Sequence, residues 1–496
     1  MSEDEEAEVA AWLSNRSERV VETALARVFL TAEAAFKQKR RVNPGYVDFT
    51  TAERRRWALE RELAFNKLTA PDIYRAVRRV TRSAAGGLEF DGPGEVIDDV
   101  LEMRRFADRA VLSAHLDEVD GEAAEALGRA IAGVHAQAPL RDRSGLAFTV
   151  PSNARLLEAL ASELGRDAVA QLVAATKAEF ARQGPLLARR ISEGFARRCH
   201  GDLHLGNILV EQGAPILFDC IEFSDELSDI DVLYDVAFLL MDLDFRGRRD
   251  AGVRVLSAYL DEAARSFPKT LWEGLAALPL MLSVRAGVRA HVQAHQGDLA
   301  GARAYLRAAL EHLAPTPPVL AAIGGLSGSG KSTFAREIAP GLGASPGAVV
   351  LRTDEIRKRL TGAGPKERLD RGVYTVQFYA RVYDTLFAEA GAMLRAGRAV
   401  VLDATFIDPQ LRARAERLAA DCGAPFAGVF LDAPAQVLEA RIAERLGDAS
   451  DASDATVEVL HDQMRRLDRA AVAWSLVDAS RDIPAAAAAW LARRPR

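Results

Sequence analysis

The stretch His200–Glu222, HGDLHLGNILVEQGAPILFDCIE, decides how the first two thirds of the chain are interpreted. Two short apolar runs, ILV and ILF, flank a segment, EQGAP, with the glycine and proline of a hairpin loop. If Leu209 pairs with Leu217, then Asn207 lies opposite Asp219. We therefore expect the side chains of Asn207 and Asp219 to meet at one end of a hairpin.

The residue types at that end of the hairpin suit phosphoryl transfer. Asn207 and Asp219 offer an amide oxygen and a carboxylate, the hard ligands that Mg²⁺ takes when it bridges nucleotide phosphates. Asp202, five residues before Asn207, is near enough along the loop to accept the proton of an attacking hydroxyl. The stretch predicts a phosphoryl-transfer site, and the alternative is a polar turn before an ordinary hairpin.

The segment HGDLHLGN, residues 200–207, together with Asp219, resembles the catalytic and metal-binding segment of the aminoglycoside phosphotransferase-like kinases, relatives of the protein kinases. The resemblance implies that Asp202 is the catalytic aspartate and that Asn207 and Asp219 are metal ligands. Asp235, in YDVA, resembles the structural aspartate that closes this site. The implied fold is an α+β, bilobal, protein-kinase-like domain that uses ATP and Mg²⁺.

Two lysines are candidates for nucleotide binding in the smaller lobe. Residues 20–42 carry short apolar runs typical of strands, and Lys37 and Lys39 face the same side of one of them. In the kinase resemblance, a strand lysine contacts the phosphates and pairs with a helix glutamate. Lys37 is the first choice and Lys39 the second. The alternative is a pair of solvent-facing lysines on an edge strand.

The glutamate partner is expected on the helix predicted over residues 51–68, which starts at Thr51 or Thr50. The resemblance implies Glu62 as the partner of Lys37. Glu60 and Glu53 stay open, because a plain i,i+4 pair in solvent has the same sequence pattern.

Residues 96–103 resemble the strand and hinge between the two kinase lobes, where backbone groups bind adenine. The resemblance implies that Glu102 and Met103 bind the nucleotide. One feature departs from the family: the turn over residues 22–28 contains no glycine, which puts phosphate contact by that turn in doubt.

The length of the chain and a proline-rich linker indicate two domains. The 496 residues, 49% of them hydrophobic, suffice for two or three domains. Ala/Leu-rich periodic segments, among them 117–137, 153–181 and 186–198, predict the helices of a larger lobe. The linker HLAPTPP contains three prolines in four residues. We predict a kinase-like domain over 1–314, with lobes of about 1–102 and 103–314, and a second domain over 318–496.

Charge and cysteine content limit partners and compartment. The formal net charge of −6 gives no general electrostatic reason to expect a nucleic-acid duplex as partner. Cys199, Cys220 and Cys422 have no metal-ligand spacing, which favours reduced thiols. The first residues are acidic where a secretory signal would be basic, and we expect no membrane-spanning run. A cytoplasmic location is expected.

The second domain opens with a phosphate-binding motif. The apolar strand VLAAI, residues 319–323, precedes GGLSGSGKST and a helical run, so the pattern G-x-x-x-x-G-K-S stands in its required strand-loop-helix context. Lys331 is expected to reach the transferred phosphate and Ser332 to bind Mg²⁺. The predicted nucleotide-binding residues are Gly325, Ser327, Gly328, Ser329, Gly330, Lys331, Ser332 and Thr333.

Further polar residues follow the predicted strands of an α/β P-loop fold with a parallel sheet. Asp354 lies just beyond one strand and Asp403 ends another, at the carboxyl edge where ligands bind in such sheets. Asp403 is a predicted metal ligand. Arg441 and Arg445, four residues apart on a helix, are expected to face the phosphates, with residues 447–452 as a mobile lid.

Residues 318–496 resemble the adenylate-kinase-like group of small-molecule and polynucleotide kinases, including zeta-toxin-like kinases. The resemblance of Asp354 and Arg357 to the 5′-end chemistry of polynucleotide kinases implies that Asp354 is the general base and Arg357 holds the acceptor. Alternatives remain: Asp354 as the N-cap of the following helix and Arg445 on a solvated face. The whole order resembles bacterial proteins in which an aminoglycoside phosphotransferase-like domain is fused to an ATP-binding kinase domain.

The sequence is therefore compatible with three functions. The first is an ATP-dependent kinase with two sites that phosphorylate hydroxyl groups of a small metabolite. The second is a regulatory protein in which one domain only senses nucleotide. The third is a polynucleotide 5′-hydroxyl kinase, with nucleic acid bound through the second domain only. No sequence feature names the acceptor or the oligomeric state.

Overall fold

The computed structural model describes residues 3–43, 47–370, 372, 375–446 and 456–493, so the predicted lid at 447–452 lies outside the described residues. The chain divides into two compact units. The first consists of Met1–Glu118, Ala138–Thr149 and Ala196–Asp235; the second consists of Val119–Gln137, Val150–Phe195 and Val236–Arg496.

The strands of the first unit follow one another in groups, whereas those after residue 319 alternate with helices. The strands are Arg19–Glu22 (β1), Ala26–Leu30 (β2), Ala34–Lys39 (β3), Tyr74–Arg82 (β4), Leu88–Phe90 (β5), Glu95–Arg104 (β6), Ala196–Arg198 (β7), Ile208–Glu211 (β8), Ala214–Leu217 (β9), Asp229–Asp231 (β10), Leu320–Gly325 (β11), Val349–Arg352 (β12), Val400–Asp403 (β13), Phe426–Asp432 (β14) and Ser475–Asp478 (β15).

Along the chain, most α-helices follow β6, and several of them alternate with the strands after β11. The α-helices are Glu3–Ser14 (α1), Ala52–Asn66 (α2), Gly121–Gln137 (α3), Leu146–Ala159 (α4), Ala161–Leu164 (α5), Arg166–Ser192 (α6), Asp225–Ser228 (α7), Val232–Phe245 (α8), Arg249–Ala263 (α9), Leu278–His295 (α10), Leu299–Leu313 (α11), Lys331–Ile338 (α12), Thr353–Thr361 (α13), Val376–Arg395 (α14), Pro409–Asp421 (α15), Ala435–Leu446 (α16), Val457–Arg466 (α17) and Ile483–Ala492 (α18).

A six-stranded antiparallel sheet in the order β1-β2-β3-β6-β4-β5 forms the centre of the first unit. Helix α2 begins after Thr51, whose hydroxyl accepts a hydrogen bond from the N–H of Arg54 at 3.4 Å. Leu59 of α2 packs against Tyr74 and Leu101 of the sheet. Because β3 lies between β2 and β6, the edge-strand alternative for its lysines is wrong.

The turn between β8 and β9 contains only two residues. Gln212 has φ 53° and Gly213 has φ 77°, so both occupy the left-handed region. A two-residue turn of this kind matches the twist of the flanking strands and closes the hairpin directly, here at the pair Glu211 and Ala214. The five-residue loop expected from EQGAP is not formed.

The short turn sets the register of the hairpin. Ile208 pairs with Leu217, so the predicted pairing of Leu209 with Leu217 is wrong by one residue. Asn207 therefore lies opposite Phe218, whose N–H donates to the Asn207 carbonyl oxygen at 3.1 Å. The two predicted metal ligands are one residue out of register and still share the end of the hairpin.

A five-stranded parallel sheet in the order β12-β13-β11-β14-β15 forms the centre of the P-loop part of the second unit. Apolar side chains of the strands and of α12 fill its core, among them Ala321, Phe334 and Val401. The phosphate loop and Asp354 follow strand ends, and Asp403 is the last residue of β13, so all of them lie on the carboxyl edge of this sheet. The predicted α/β class of this part is confirmed.

Helix α9, which precedes the proline-rich linker, packs on this same sheet. Val253 belongs to its hydrophobic core and is 2% exposed. The hydroxyl of Ser257 accepts a hydrogen bond at 3.1 Å from the N–H of Val350 in β12. Since β12 is an edge strand, this contact satisfies a backbone group that would otherwise face solvent.

The domain boundary at the proline-rich linker stays a prediction that fragments can test. Fragments 1–314 and 318–496 are each expected to fold. Fragment 318–496 should melt about 5–10 °C below the same domain in the full chain, because it loses Val253 from its core and the Ser257 contact. Thermal melts followed by circular dichroism check this. Aggregation of both fragments would show that the boundary is wrong.

The helices of the larger lobe differ in several places from the expected pattern. Residues 153–181 span the end of α4, α5 and the first part of α6, and β7 occupies the end of segment 186–198. Segments 153–181 and 186–198 were expected to be separate helices, but α6 runs without a break through Pro185. Its buried side chains, Leu172 and Leu187, lie on both sides of the proline. Packing on both sides outweighs the cost of about 3 kcal/mol that proline imposes on a helix interior.

One helical stretch, Lys269–His295, has the length and composition of a membrane span, contrary to the expectation from the sequence. Its most apolar window is 78% buried inside the fold. A core helix passes the same test, and the burial favours that assignment.

Candidate active sites

Lys37 of β3 connects the sheet to α2 and to the segment after β9. Its Nζ donates to Glu62 Oε1 and to Asp219 Oδ1, each at 2.6 Å. Burial alone would lower the pKa of Lys37, but the carboxylates of Asp219, Glu62 and Glu222 outweigh it and raise the pKa well above its ordinary value. The ammonium stays charged and can bind nucleotide phosphates.

Lys39, the second choice, lies deeper. Its Nζ donates to Glu62 Oε2 and Glu222 Oε1, each at 2.6 Å, and the residue is 2% exposed. Glu62 is thus held by both lysines, while Glu60 pairs with Arg56 on the helix surface at 2.8 Å. Of the two lysines, Lys37 is the one bonded to the predicted metal ligand Asp219.

Asp219 has an unusual backbone conformation. Its φ of 61° lies in the left-handed region, which is uncommon for residues other than glycine. Its N–H donates to the Tyr74 hydroxyl at 3.0 Å, which fixes the backbone in this conformation. Such strain is found at functional sites, where surrounding structure holds it.

The loop before β8 holds Asp202 by two sets of contacts. Asn207 Nδ2 donates to Asp202 Oδ2 and to the Asp202 carbonyl oxygen, each at 3.0 Å. Asp235 accepts backbone hydrogen bonds from His200 at 3.1 Å and Gly201 at 2.9 Å. The structure therefore brings Asp202, Asn207 and Asp235 together as expected, with the Asp202 carboxylate fixed in one orientation.

Glu102 and Met103 lie at the end of β6. The carboxylate of Glu102 accepts from Arg75 at 3.2 Å and from Arg78 at 2.6 Å. Met103 belongs to the core of the first unit together with Tyr74. Both side chains are thus engaged within the protein, and adenine binding by their backbone groups stays a prediction.

The two lysines can be separated by substitution in a Lys331→Ala background. Lys37→Met is expected to slow transfer at this site by about 10²–10³-fold, because it removes a fixed charge directed at the phosphates. Lys39→Met should chiefly destabilise the fold, by about 3–5 kcal/mol, because it leaves Glu222 buried without its partner. Turnover rates and thermal melts measure the two effects. Equal losses of rate in both variants would contradict the assignment of Lys37.

The phosphate loop joins β11 to α12 in the predicted order. Gly328 has φ 82°, and a Cβ atom there would lie 2.6 Å from the Leu438 carbonyl oxygen, so only glycine fits. Lys331 Nζ donates to the Leu326 carbonyl oxygen at 2.9 Å. The predicted nucleotide-binding residues form one continuous segment: Gly325, Ser327, Gly328, Ser329, Gly330, Lys331, Ser332 and Thr333.

The predicted metal ligands of the second unit are in direct contact. Ser332 Oγ donates to Asp403 Oδ2 at 2.6 Å. Arg352, which the sequence analysis missed, contacts both: its Nε lies 3.2 Å from Asp403 Oδ2 and its Nη2 donates to Ser332 Oγ at 3.0 Å. A hydroxyl and a carboxylate oxygen fit Mg²⁺, and so do the amide and carboxylate of the first unit.

Asp354 is the second residue of α13, which begins at Thr353, so the N-cap alternative is wrong. Arg357 Nη1 donates to Asp354 Oδ1 at 2.5 Å. Burial would raise the pKa of Asp354, but Arg357, Arg352 and Lys331 together hold it below its ordinary value. The carboxylate is therefore ionised at neutral pH, the state that can accept a proton.

The structure describes the side chain of only one of the two predicted arginines of α16. Arg441 donates to the carbonyl oxygens of Ala479 at 2.8 Å and Arg481 at 3.1 Å. The side chain of Arg445 lies outside the described residues. Phosphate binding by Arg441 and Arg445 stays a prediction.

Comparison with known proteins gives two family matches. Residues 43–278 match the model of the phosphotransferase enzyme family, and residues 320–470 match the model of an AAA domain. A protein of Mycobacterium tuberculosis (strain ATCC 25618 / H37Rv), described as uncharacterized, is 33% identical over 455 residues, 88% of this chain and 87% of the relative. The adenylyl-sulfate kinase of Myxococcus xanthus is 37% identical over 121 residues, 24% of this chain and 59% of that protein.

Two solved structures with some similarity are described as kinases. A gluconokinase from Sinorhizobium meliloti 1021 has 24% identity and a TM-score of 0.26, covering 36% of this chain and 93% of its own. A Plasmodium vivax ethanolamine kinase has 11% identity and a TM-score of 0.35, covering 62% of this chain and 84% of its own. By its family matches and its similarity to the Mycobacterium tuberculosis protein, the chain is a phosphotransferase of the two-domain family in which a phosphotransferase-family domain precedes a P-loop domain.

Proposed function

We propose that the chain is an ATP-dependent kinase with two sites, one centred on Asp202 and one on Lys331, and that each transfers the γ-phosphate to a hydroxyl group of a small metabolite. The observation that carries the proposal is the contact of Lys37 with both Glu62 and Asp219 in the unit that holds Asp202. A regulatory domain that only senses nucleotide does not require an oriented carboxylate such as Asp202.

At the first site, each side chain has a defined task. Asp202, oriented by Asn207, accepts the proton of the acceptor hydroxyl. Lys37 holds the phosphates, and Asn207 and Asp219 would hold Mg²⁺. When bound, Mg²⁺ neutralises the charge of the phosphates. Glu62 keeps the Lys37 ammonium in place.

At the second site, the same tasks fall to other residues. The backbone of the phosphate loop and Lys331 bind the phosphates, and Ser332 with Asp403 would hold Mg²⁺. Asp354 accepts the proton of the acceptor hydroxyl. Arg357, bonded to Asp354, holds the acceptor and keeps the carboxylate ionised.

The described thiols suit the reducing cytoplasm that we propose as the location. Cys199, Cys220 and Cys422, all within the described part of the chain, form no disulfide, and the first two are buried. Burial raises the pKa of Cys220 well above its ordinary value, so its thiol is not reactive at neutral pH.

A labelling assay identifies the acceptor class. The full chain is incubated with γ-labelled ATP and, separately, a metabolite extract, 5′-hydroxyl RNA and 5′-hydroxyl DNA. We expect label in small hydroxylated metabolites and none in nucleic acid, for which the comparisons give no support. Label in RNA or DNA ends would replace the proposal for the second site by an end kinase. ATP binding with no transfer to any acceptor would favour the sensing role.

A further inference from the structure

A row of charged residues leads from the partly buried Arg129 of α3, through the buried Glu355 and Arg352, to the predicted metal ligands of the second site. Arg129 of α3 donates through Nη2 to Glu355 Oε1 of α13 at 3.4 Å. The same oxygen accepts from Arg352 Nη1, also at 3.4 Å. Arg352 in turn contacts Ser332 and Asp403, the two residues that would hold Mg²⁺. All of these residues belong to the second unit.

Because Arg352 and Glu355 are buried, the loss of one charged partner leaves the other charge uncompensated. Arg352 is 5% exposed and Glu355 is 8% exposed. Burial raises the pKa of Glu355 to about 7, even though Arg352 and Arg129 act to lower it. Without Arg129, the protonated, neutral form of Glu355 would be favoured further, and Arg352 would lose the anion that balances its contact with Asp403.

Two further ion pairs fix the same helices in place. Arg336 of α12 pairs with Glu125 of α3 at 2.6 Å. Arg359 of α13 pairs with Asp261 of α9 at 3.3 Å. Helices α12 and α13 carry Lys331 and Asp354, so both main elements of the second site contact helices from the segment that precedes the linker.

We propose that Arg129 is a positioning residue for the second site: by holding Glu355 it holds Arg352 against Ser332 and Asp403, and so sets the affinity for Mg²⁺. The proposal rests on the proposed function of the P-loop site. Helix α3 lies in the region that matches the phosphotransferase family, so the proposal gives a residue of that region a positioning role at the P-loop site. Residues around metal ligands typically change metal affinity or activity by about 10–100-fold when they are substituted.

The test measures Mg²⁺ binding without turnover. A fluorescent ADP analogue is titrated with Mg²⁺ on the full chain in a Lys37→Met background, which removes the lysine that holds the phosphates at the first site. The four proteins compared are this parent, Arg129→Met, Arg129→Lys and Glu122→Gln. Glu122, also on α3, forms an exposed pair with Lys366 and is the matched control. Arg129→Met should raise the half-saturating Mg²⁺ concentration about tenfold. Arg129→Lys should restore part of the loss, Glu122→Gln should change nothing, and affinity for the analogue in EDTA should be the same in all four.

The outcomes separate the positioning role from the proposed function. An unchanged Mg²⁺ midpoint in Arg129→Met, or an equal shift in Glu122→Gln, overturns the positioning role while the kinase proposal stands. Parent protein that binds the analogue without any Mg²⁺ dependence overturns both. If Arg129→Met does not fold, as judged by its thermal melt, Glu355→Gln replaces it, with the same expected shift and the same contradicting result.

Discussion

Replacing Asp202 with alanine is expected to slow phosphoryl transfer at the first site by about 10²–10⁴-fold. The change removes the group that accepts the hydroxyl proton. Asn207, Asp219 and Lys37 remain to bind the nucleotide, so affinity for ATP should be retained. The rate is measured in a Lys331→Ala background, which silences the second site.

A matched control for Asp202 exists in the same unit. Asp108 is exposed and pairs with Arg19 at 2.7 Å, so Asp108→Ala should leave the rate unchanged. Turnover of Asp202→Ala near that of the parent protein would show that another group accepts the proton and that the catalytic assignment is wrong.

The second large effect is expected at Asp354. Asp354→Asn keeps the shape of the side chain but removes its negative charge, so the acceptor hydroxyl loses its base and Arg357 loses its anionic partner. Transfer at the second site should fall by about 10²–10⁴-fold, with ATP binding and thermal stability retained. Transfer is assayed in an Asp202→Ala background, and binding and melting are measured on the same preparation.

The control for this variant is Asp384→Asn on α14, which alters an exposed pair with Arg414 of α15. It should behave as the parent protein does. If Asp354→Asn transfers phosphate at the parent rate, its carboxylate serves structure alone, and the base of the second site must be another residue.

The conformation of the two segments proposed to bind or act on phosphate could be predicted because their residues are local in sequence. The residues from Gly325 to Thr333 form one loop and one helix turn, and backbone geometry alone brings them together. The segment from His200 to Asn207 is equally local. In both places, the residue types, their spacing and the flanking strands are sufficient to define the conformation.

The hairpin register could not be predicted, because it depends on a conformation that the residue type does not signal. Gln212 adopts a positive φ, which is common for glycine or asparagine but not for glutamine. The sequence pattern therefore predicts the turn over residues 211–215, EQGAP. The predicted register places Asp219 opposite Asn207, whereas Phe218 lies opposite it in the structure.

Contacts between residues that are far apart in the sequence could not be predicted from local sequence patterns. Lys37 and Lys39 share one face of β3, and their difference arises from Asp219 and Glu222, which are 182 and 183 residues away from them, respectively. Arg129 and Glu355 are 226 residues apart. Arg352 carried a weak signal, since it stands at the end of β12 directly before α13, but its contact with Asp403 requires the parallel pairing of β12 with β13.

The most direct test of two separate kinase sites is γ-phosphate transfer from ATP into a metabolite extract by four proteins: wild type, Asp202→Ala, Lys331→Ala and the double variant. Each single variant should lose the labelled product of its own site, and the double variant should lose all transfer. Label transferred by the double variant at the wild-type level, or complete loss of every product in either single variant, would contradict two independent sites.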